Sequence, residues 1–331
     1  MKAISFSEHG TADVLQLVEL DIPSPELDDV VVRNHAIGVN YVDVQHRQGG
    51  IYNDVPLPLI PGIEAAGVVE AIGDEVTQFK VGDRVAYAGY MGGNYAEYTA
   101  VPEDRLFPIP DDIAFDIAAA TVLQGITAYV LTHEVYPVQA GDWVLVHAAA
   151  GGVGNLLVQM AHNLGSVVIG TVSTDEKAQF ARQLGADHLI NYTEQDFEQV
   201  TNQLTNDLGV HVVYDAVGKT TFEQSLGCLR KRGMLVIYGQ SSGTIPMFDV
   251  NRLSGITPNS TRGSSFLTWA AGSHYIEERD DLLKNASAVF DLLRAGQIQP
   301  QIAERFALAD AAEAHRLLEA RQVIGKLILI P

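Results

Sequence analysis

Cysteine is almost missing: Cys228 is the only one in 331 residues. No disulfide within the chain and no multi-cysteine zinc site can be built from it. A chain of this size without disulfides suits a reducing compartment. Basic residues are also scarce, 21 Lys and Arg against 41 Asp and Glu, which leaves a net charge of −20. Such a field repels phosphate backbones and anionic membranes, so nucleic acid and bilayer are poor partners. The one tight basic run, Arg230, Lys231 and Arg232, is expected at a helix end and turn. Long apolar runs are lacking too. The longest stretches free of formal charge and His, residues 117–132 and 233–248, are interrupted by polar residues and Gly. Both fall short of the ~20 apolar residues that a bilayer requires. The start, MKAISFSEHG, has no apolar stretch of the secretory kind, and a cytoplasmic protein is expected.

A chain this long outgrows a single hydrophobic core, so two domains are expected. The first third reads as β-rich, with strands expected over 2–8, 15–21, 30–40, 64–72, 84–88 and 94–101. Pro23, Pro25, Pro61-Gly62 and Gly73-Asp74 punctuate them, which suggests a closed or sandwiched β-domain. After about Ala118 the character changes to strand and helix in alternation. Strands are expected over 143–147, 167–171, 188–190, 210–214 and 234–238, with helices at 153–164 and 175–184. Near-continuous apolar strands separated by amphipathic helices imply a parallel sheet covered on both faces. The tail adds helices at 279–295 and 309–319 and a last strand at 326–330.

The sharpest local signal is Trp143-Val-Leu-Val-His-Ala-Ala-Ala-Gly-Gly-Val-Gly154, which runs into an apolar helix. Glycines in a strand-to-helix turn let backbone N–H groups approach a pyrophosphate, whose charge the helix N-terminus stabilises. Gly151, Gly152, Val153 and Gly154 are therefore the candidate phosphate cradle, the alternative being a purely structural βα turn. About 20 residues further on, a site for NAD would place Asp or Glu on the ribose 2′-hydroxyl. This chain has Val172 there, followed by Ser173 and, one helical turn on, Lys177. A hydroxyl and an ammonium suit a 2′-phosphate, so NADPH is the expected cofactor. Asp175 and Glu176 nearby weaken the cationic argument, although acids also suit a first helical turn.

With these residues in view, the chain resembles the medium-chain dehydrogenase/reductase superfamily and, within it, the zinc-free quinone oxidoreductases. The resemblance spans the whole length. It rests on His147-Ala-Ala-Ala-Gly-Gly-Val-Gly154, Gly170-Thr-Val-Ser-Thr-Asp-Glu-Lys-Ala178, Ile190-Asn-Tyr192, Val212-Val-Tyr-Asp-Ala-Val-Gly218, Tyr238-Gly-Gln-Ser-Ser-Gly243 and Ile37-Gly-Val-Asn-Tyr-Val-Asp43. It implies an α/β protein: a GroES-like β-rich catalytic domain over 1–124 and 272–331, and a Rossmann NADPH-binding domain over 125–271. NADPH would lie in a cleft between them. Lys177 and Tyr192 would contact the 2′-phosphate, and Thr127 and Gly239 would lie along the cofactor. Zinc-dependent relatives carry an early catalytic Cys, a His-Glu after a Pro-Gly and a lobe of four cysteines. This chain has Asn40 and Asp43 in the first region and Ile63-Glu64 after the Pro-Gly, and no metal is expected. Two carboxylates without soft ligands make a poor zinc site, and a structural part for Asp43 and Glu64 is the better expectation.

Without a Lewis acid the acceptor must already be activated, as in quinones and α,β-unsaturated carbonyls, where hydride arrival places negative charge on oxygen. By resemblance, Asn40 and Tyr52 are the expected donors to that oxygen, with Tyr41 and Gln124 lining the substrate. The leading expectation is NADPH-dependent quinone reduction. Reduction of an activated C=C bond is the alternative within enzymes, and a nucleotide-binding structural or RNA-binding protein the alternative of another class. The resemblance also implies a homodimer joined through Rossmann sheet edges, with residues 263–268 as the candidate edge.

Overall fold

The computed structural model describes residues 1–49, 56–90 and 93–331. Along the chain the strands are β1 (Lys2–Ser5), β2 (Gln16–Glu19), β3 (Asp29–Val39), β4 (Glu64–Ile72), β5 (Arg84–Ala88), β6 (Tyr98–Pro102) and β7 (Phe107–Pro108). They continue as β8 (Trp143–Val146), β9 (Val167–Val172), β10 (His188–Asn191), β11 (Val210–Asp215), β12 (Leu229–Ile237), β13 (Phe266–Trp269), β14 (Ile302–Ala307) and β15 (Lys326–Ile330). The α-helices are α1 (Tyr41–Gln48), α2 (Phe115–Val130), α3 (Gly152–Asn163), α4 (Asp175–Gln183), α5 (Phe197–Leu204), α6 (Phe222–Cys228), α7 (Arg279–Arg294) and α8 (Ala311–Glu319).

Two compact units result: Met1–Ile126 with Ile276–Asp291 and Pro300–Pro331, and Thr127–Tyr275 with Leu292–Gln299. The first is built on a seven-stranded sheet, β14-β15-β3-β4-β5-β7, in which β6 also pairs with β3. β3 organises it, because its eleven residues are long enough to pair with β4, β6 and β15. Val30 and Val32 on one side of a register shift, and Ile37 and Val39 on the other, enter one core with Val69, Val85, Leu106 and Leu327. The N-terminal hairpin β1-β2 stands as a separate two-stranded sheet.

The second unit is a six-stranded sheet in the order β10-β9-β8-β11-β12-β13, every neighbour parallel. Numbered from β8, that order is 3-2-1-4-5-6, the doubly wound arrangement of dinucleotide-binding domains. Strands covered on both faces need no alternation, and Leu145, Ile169, Ile190, Val213 and Leu235 are accordingly all sealed from solvent. The order reverses between β8 and β11. The glycine-rich turn leaves β8 there, at the position where such sheets hold ligands.

Helix α2 and strands β7 and β14 are not anticipated in the sequence reading, and two further differences from it have a local physical reason. Arg230, Lys231 and Arg232 lie inside β12 rather than in a turn after a helix. Their stretch is the irregular part of that strand: Arg232 takes a left-handed φ of 61°. Pairing with β11 skips from Val210 opposite Leu229 to Val212 opposite Met234. The charges therefore sit on an excursion where the ladder is broken. Helix α1 had no forerunner in the strand pattern. Asp43 starts it, accepting the Asn40 N–H on Oδ2 at 2.8 Å, half of a capping box. Among the described residues one helical stretch, Phe115–Val135, is long and apolar enough to cross a membrane. Its most apolar window is 67% buried within the protein, as expected of a core helix.

Candidate active site

The nucleotide half is built at the end of β8. The chain leaves the strand through His147 and Ala148, whose φ of 52° is left-handed, and enters α3 at Gly152. Gly154 has to be glycine because a Cβ there would lie 2.1 Å from the Ala148 carbonyl oxygen. That close approach pulls the first turn of α3 back over the strand end, as the third glycine of a dinucleotide fold does. Gly151 is the N-cap and Val153 lies in the first turn, so the turn presents the unpaired N–H groups of a helix start. Beneath it, His147 is fixed by Thr171 Oγ1 on Nδ1 at 3.0 Å and Ser225 Oγ on Nε2 at 2.9 Å.

Ser173 follows the end of β9, and Lys177 stands one turn into α4, with Nζ donating to Ser173 Oγ at 3.4 Å. Tyr192 follows β10 and is 42% exposed. β9 and β10 are adjacent and parallel, so Ser173, Lys177 and Tyr192 all leave the same end of the sheet as the glycine turn. Gly239 follows β12 and packs against Ala216, where a Cβ would meet the Ala216 oxygen at 3.0 Å. Thr127 belongs to the same unit, on the last turn of α2. A glycine cradle at a helix start, with a hydroxyl, an ammonium and an exposed phenol at the neighbouring strand ends, fits NADPH.

The other unit carries Asn40, Tyr41 and Gln124. Asn40 is 6% exposed, and three side chains and one backbone carbonyl surround its carboxamide. Lys326 Nζ donates to Oδ1 at 2.7 Å and Gln124 Nε2 reaches the same oxygen at 3.4 Å. Nδ2 donates to Glu64 Oε1 at 2.6 Å, while its contact with the Gly38 carbonyl is 3.5 Å long. Lys326 also donates to Glu64 Oε1, and the pair is sealed, with side chains 2% and 0% exposed. Glu64 Oε2 accepts the Leu123 N–H at 3.0 Å, tying β4 to α2. Gly38 makes room for this: a Cβ on it would lie 2.1 Å from Glu64 Oε1.

Asp43 lies behind Asn40 and is wholly buried. Burial pushes its carboxyl up to about 7, against the pull of the Asn40 N–H, Lys326 and the Tyr95 hydroxyl. Tyr95 donates to Asp43 Oδ2 at 3.0 Å and lies 3.1 Å from His315 Nε2. Arg47, which can only donate, meets His315 Nδ1 at 3.5 Å and Glu319 Oε1 at 2.7 Å. His315 therefore carries its proton on Nε2 and donates it in a hydrogen bond to the Tyr95 hydroxyl oxygen. Burial, and then the neighbouring Arg47 charge, hold its pKa down at about 3, so the ring is neutral. Tyr41 is half-buried at the start of α1, where burial raises its phenol above the ordinary value. Tyr52, the other expected donor, lies outside the described residues.

The structure thus brings Asn40 and Gln124 into contact, gathers the cofactor candidates at one end of the second sheet, and adds residues not anticipated as a network: Lys326, Tyr95, His315 and Arg47.

Two family models match, an alcohol dehydrogenase GroES-like domain over residues 26–111 and a zinc-binding dehydrogenase over residues 152–285. A quinone oxidoreductase of Pseudomonas aeruginosa is 42% identical over 330 residues, covering 100% of this chain and 99% of that protein. The chain belongs to the quinone oxidoreductase branch of the medium-chain dehydrogenase/reductase superfamily. A 2-haloacrylate reductase of a Burkholderia species is also 42% identical, over 97% of this chain and 96% of its own length. Among solved structures, the Escherichia coli quinone oxidoreductase complexed with NADPH superposes with a TM-score of 0.95 at 38% identity, each chain covered in full.

The zinc-binding description of one family model does not fit this member's side chains. Asn40 offers an amide and Ile63 a hydrocarbon. Glu64 is already neutralised by an ammonium, and Cys228, the one thiol, is buried in the other unit. A cation held against Glu64 and Asn40 repels a second one, and no zinc step is assigned.

Proposed function

We propose that the protein reduces quinones with NADPH. The full-length likeness to quinone oxidoreductases carries this reading. Ser173, Lys177 and Tyr192 recognise the 2′-phosphate, Gly151, Gly152, Val153 and Gly154 cradle the pyrophosphate, and Thr127 and Gly239 line the rest of the cofactor. Bound NADPH supplies a hydride, and its chemistry belongs to the cofactor. The protein's part is to orient the acceptor and hold the charge that develops on its oxygen. Asn40 donates to that oxygen through the Nδ2 hydrogen whose partner among the described residues is the 3.5 Å contact with Gly38. A well-placed donor of this kind contributes about 2.7–4 kcal/mol to the transition state. Tyr52 serves as a second donor, and Tyr41 and Gln124 bound the substrate.

The likeness to a 2-haloacrylate reductase favours a second reading, reduction of an activated C=C bond by the same donors. The two separate in one assay: NADPH oxidation with 1,4-benzoquinone, 9,10-phenanthrenequinone, 2-cyclohexenone and 2-chloroacrylate as acceptors. Quinone turnover with NADPH and little with NADH supports the first reading. Turnover of the enone or haloacrylate alone moves the assignment to the second.

The partner of the chain is a second copy of itself, joined along β13. That strand ends the six-stranded sheet and leaves Phe266, Leu267 and Trp269 54%, 36% and 50% exposed. An uncovered apolar edge of this kind invites strand pairing. The charge of −20 and the single buried cysteine favour a cytoplasmic protein without nucleic-acid or membrane partners.

A further inference from the structure

We propose that Lys326 is a positioning residue for the reduction: its ammonium orients and polarises the Asn40 carboxamide that meets the substrate oxygen. This rests on the reading of Asn40 as donor. The geometry argues it in two steps. First, an ammonium can only donate, so the Asn40 atom 2.7 Å from Nζ must be the carbonyl oxygen. An ionised carboxylate can only accept, so the atom 2.6 Å from Glu64 Oε1 must be the amide nitrogen. Opposite charges at the two ends thus remove the freedom of the amide to flip, which would present an oxygen to the developing oxyanion. Second, a charge-assisted bond to Oδ1 draws electron density from the amide and strengthens Nδ2–H as a donor. The effect is undiluted by water, because Lys326 is 2% and Asn40 6% exposed. A lysine held this far from solvent in a strand end is expensive unless it is paired. Glu64 offsets that cost, and a second N–H of the ammonium goes to Asn40, a residue proposed to touch the acceptor.

The test is a double-mutant cycle on the full chain with NADPH and 1,4-benzoquinone, using Lys326→Met, Asn40→Ala and both together. Lys326→Met is expected to lower kcat about ten-fold, with the Kd for NADPH and the KM for quinone held. In the Asn40→Ala background the same change should cost less than two-fold, because the amide it acts through is gone. Equal losses in both backgrounds, or a Lys326→Met protein with undiminished kcat, overturn the proposal. If Lys326→Met does not fold, Lys326→Gln takes its place, filling the space with a neutral donor, and is read by the same cycle. Failure of the underlying reading looks different: Asn40→Ala alone would then leave kcat unchanged.

Discussion

Lys326 and Glu64 meet across 262 positions of sequence, and the pair has no access to water. Breaking a buried pair by removing one member leaves an uncompensated charge and costs about 3–5 kcal/mol. Glu64→Ala should lower the unfolding free energy by that order in urea titrations. Glu64→Leu combined with Lys326→Met should cost less than Glu64→Ala alone, since no lone charge remains. A double variant worse than the single one would refute the pairing.

His315 gives the protein a pH dependence whose sign can be worked out. Its folded pKa is held down at about 3, against 6.5 when free. Between those values the unfolded chain binds a proton that the folded chain refuses. The stability from the neutral ring is therefore complete above about pH 6.5 and is lost as the pH falls toward 3. The slope in that window approaches about 1.4 kcal/mol per pH unit. Urea unfolding at a series of acid pH values should show His315→Gln losing less stability on acidification than the natural protein. Asp43 works in the opposite sense. Its carboxyl, raised from 3.8 to about 7, contributes stability below the lower value that is lost as the pH rises through the upper. Only the comparison with His315→Gln isolates the histidine.

Gly154→Ala should be among the most damaging small changes in the nucleotide half. The added methyl would lie 2.1 Å from a backbone oxygen that cannot swing away, so the turn itself must open. NADPH affinity measured by fluorescence titration is expected to fall by more than about ten-fold, because the cradle depends on that close approach. Unchanged affinity would show that the turn does not hold the pyrophosphate.

Lys177→Ala tests the choice between the two nicotinamide cofactors. Hydrogen bonds to charged groups contribute about 1.5–3 kcal/mol, so kcat/KM for NADPH should fall roughly ten-fold or more. The value for NADH, which has no 2′-phosphate, should stay within about two-fold. Equal losses with both would place Lys177 in a structural part.

The two halves of the site differ in how far the sequence foretells them. The glycine turn, Ser173 and Lys177 are legible because the chemistry is local: strand, turn and helix follow within one stretch of chain. Five of the six parallel strands announce themselves by near-continuous apolar stretches, while β13 is reached through the resemblance alone, as a candidate sheet edge. Lys326 is the opposite case. It opens Lys326-Leu-Ile-Leu-Ile330, where a leading lysine reads as a solvated strand end. Its burial comes from register: β15 pairs Leu327 with Val39 and Ile328 with Gly38, which carries Lys326 up to Asn40 from the far end of the chain. Arg47 on α1, His315 on α8 and Tyr95 in the chain before β6 share no local pattern. Helix α1 could have been found from Asn40 and Asp43, an N-cap pair at the spacing of a capping box.

The measurement that bears most directly on the central claim is single-turnover stopped flow. The protein is preloaded with NADPH and mixed with 1,4-benzoquinone, and the loss of nicotinamide absorbance is followed for the natural protein and for Asn40→Ala. The account predicts rapid quinone-dependent decay, slowed about 100-fold or more by the substitution, with NADPH binding unchanged. Decay at the same rate in both proteins, or no faster than with free NADPH, would contradict it.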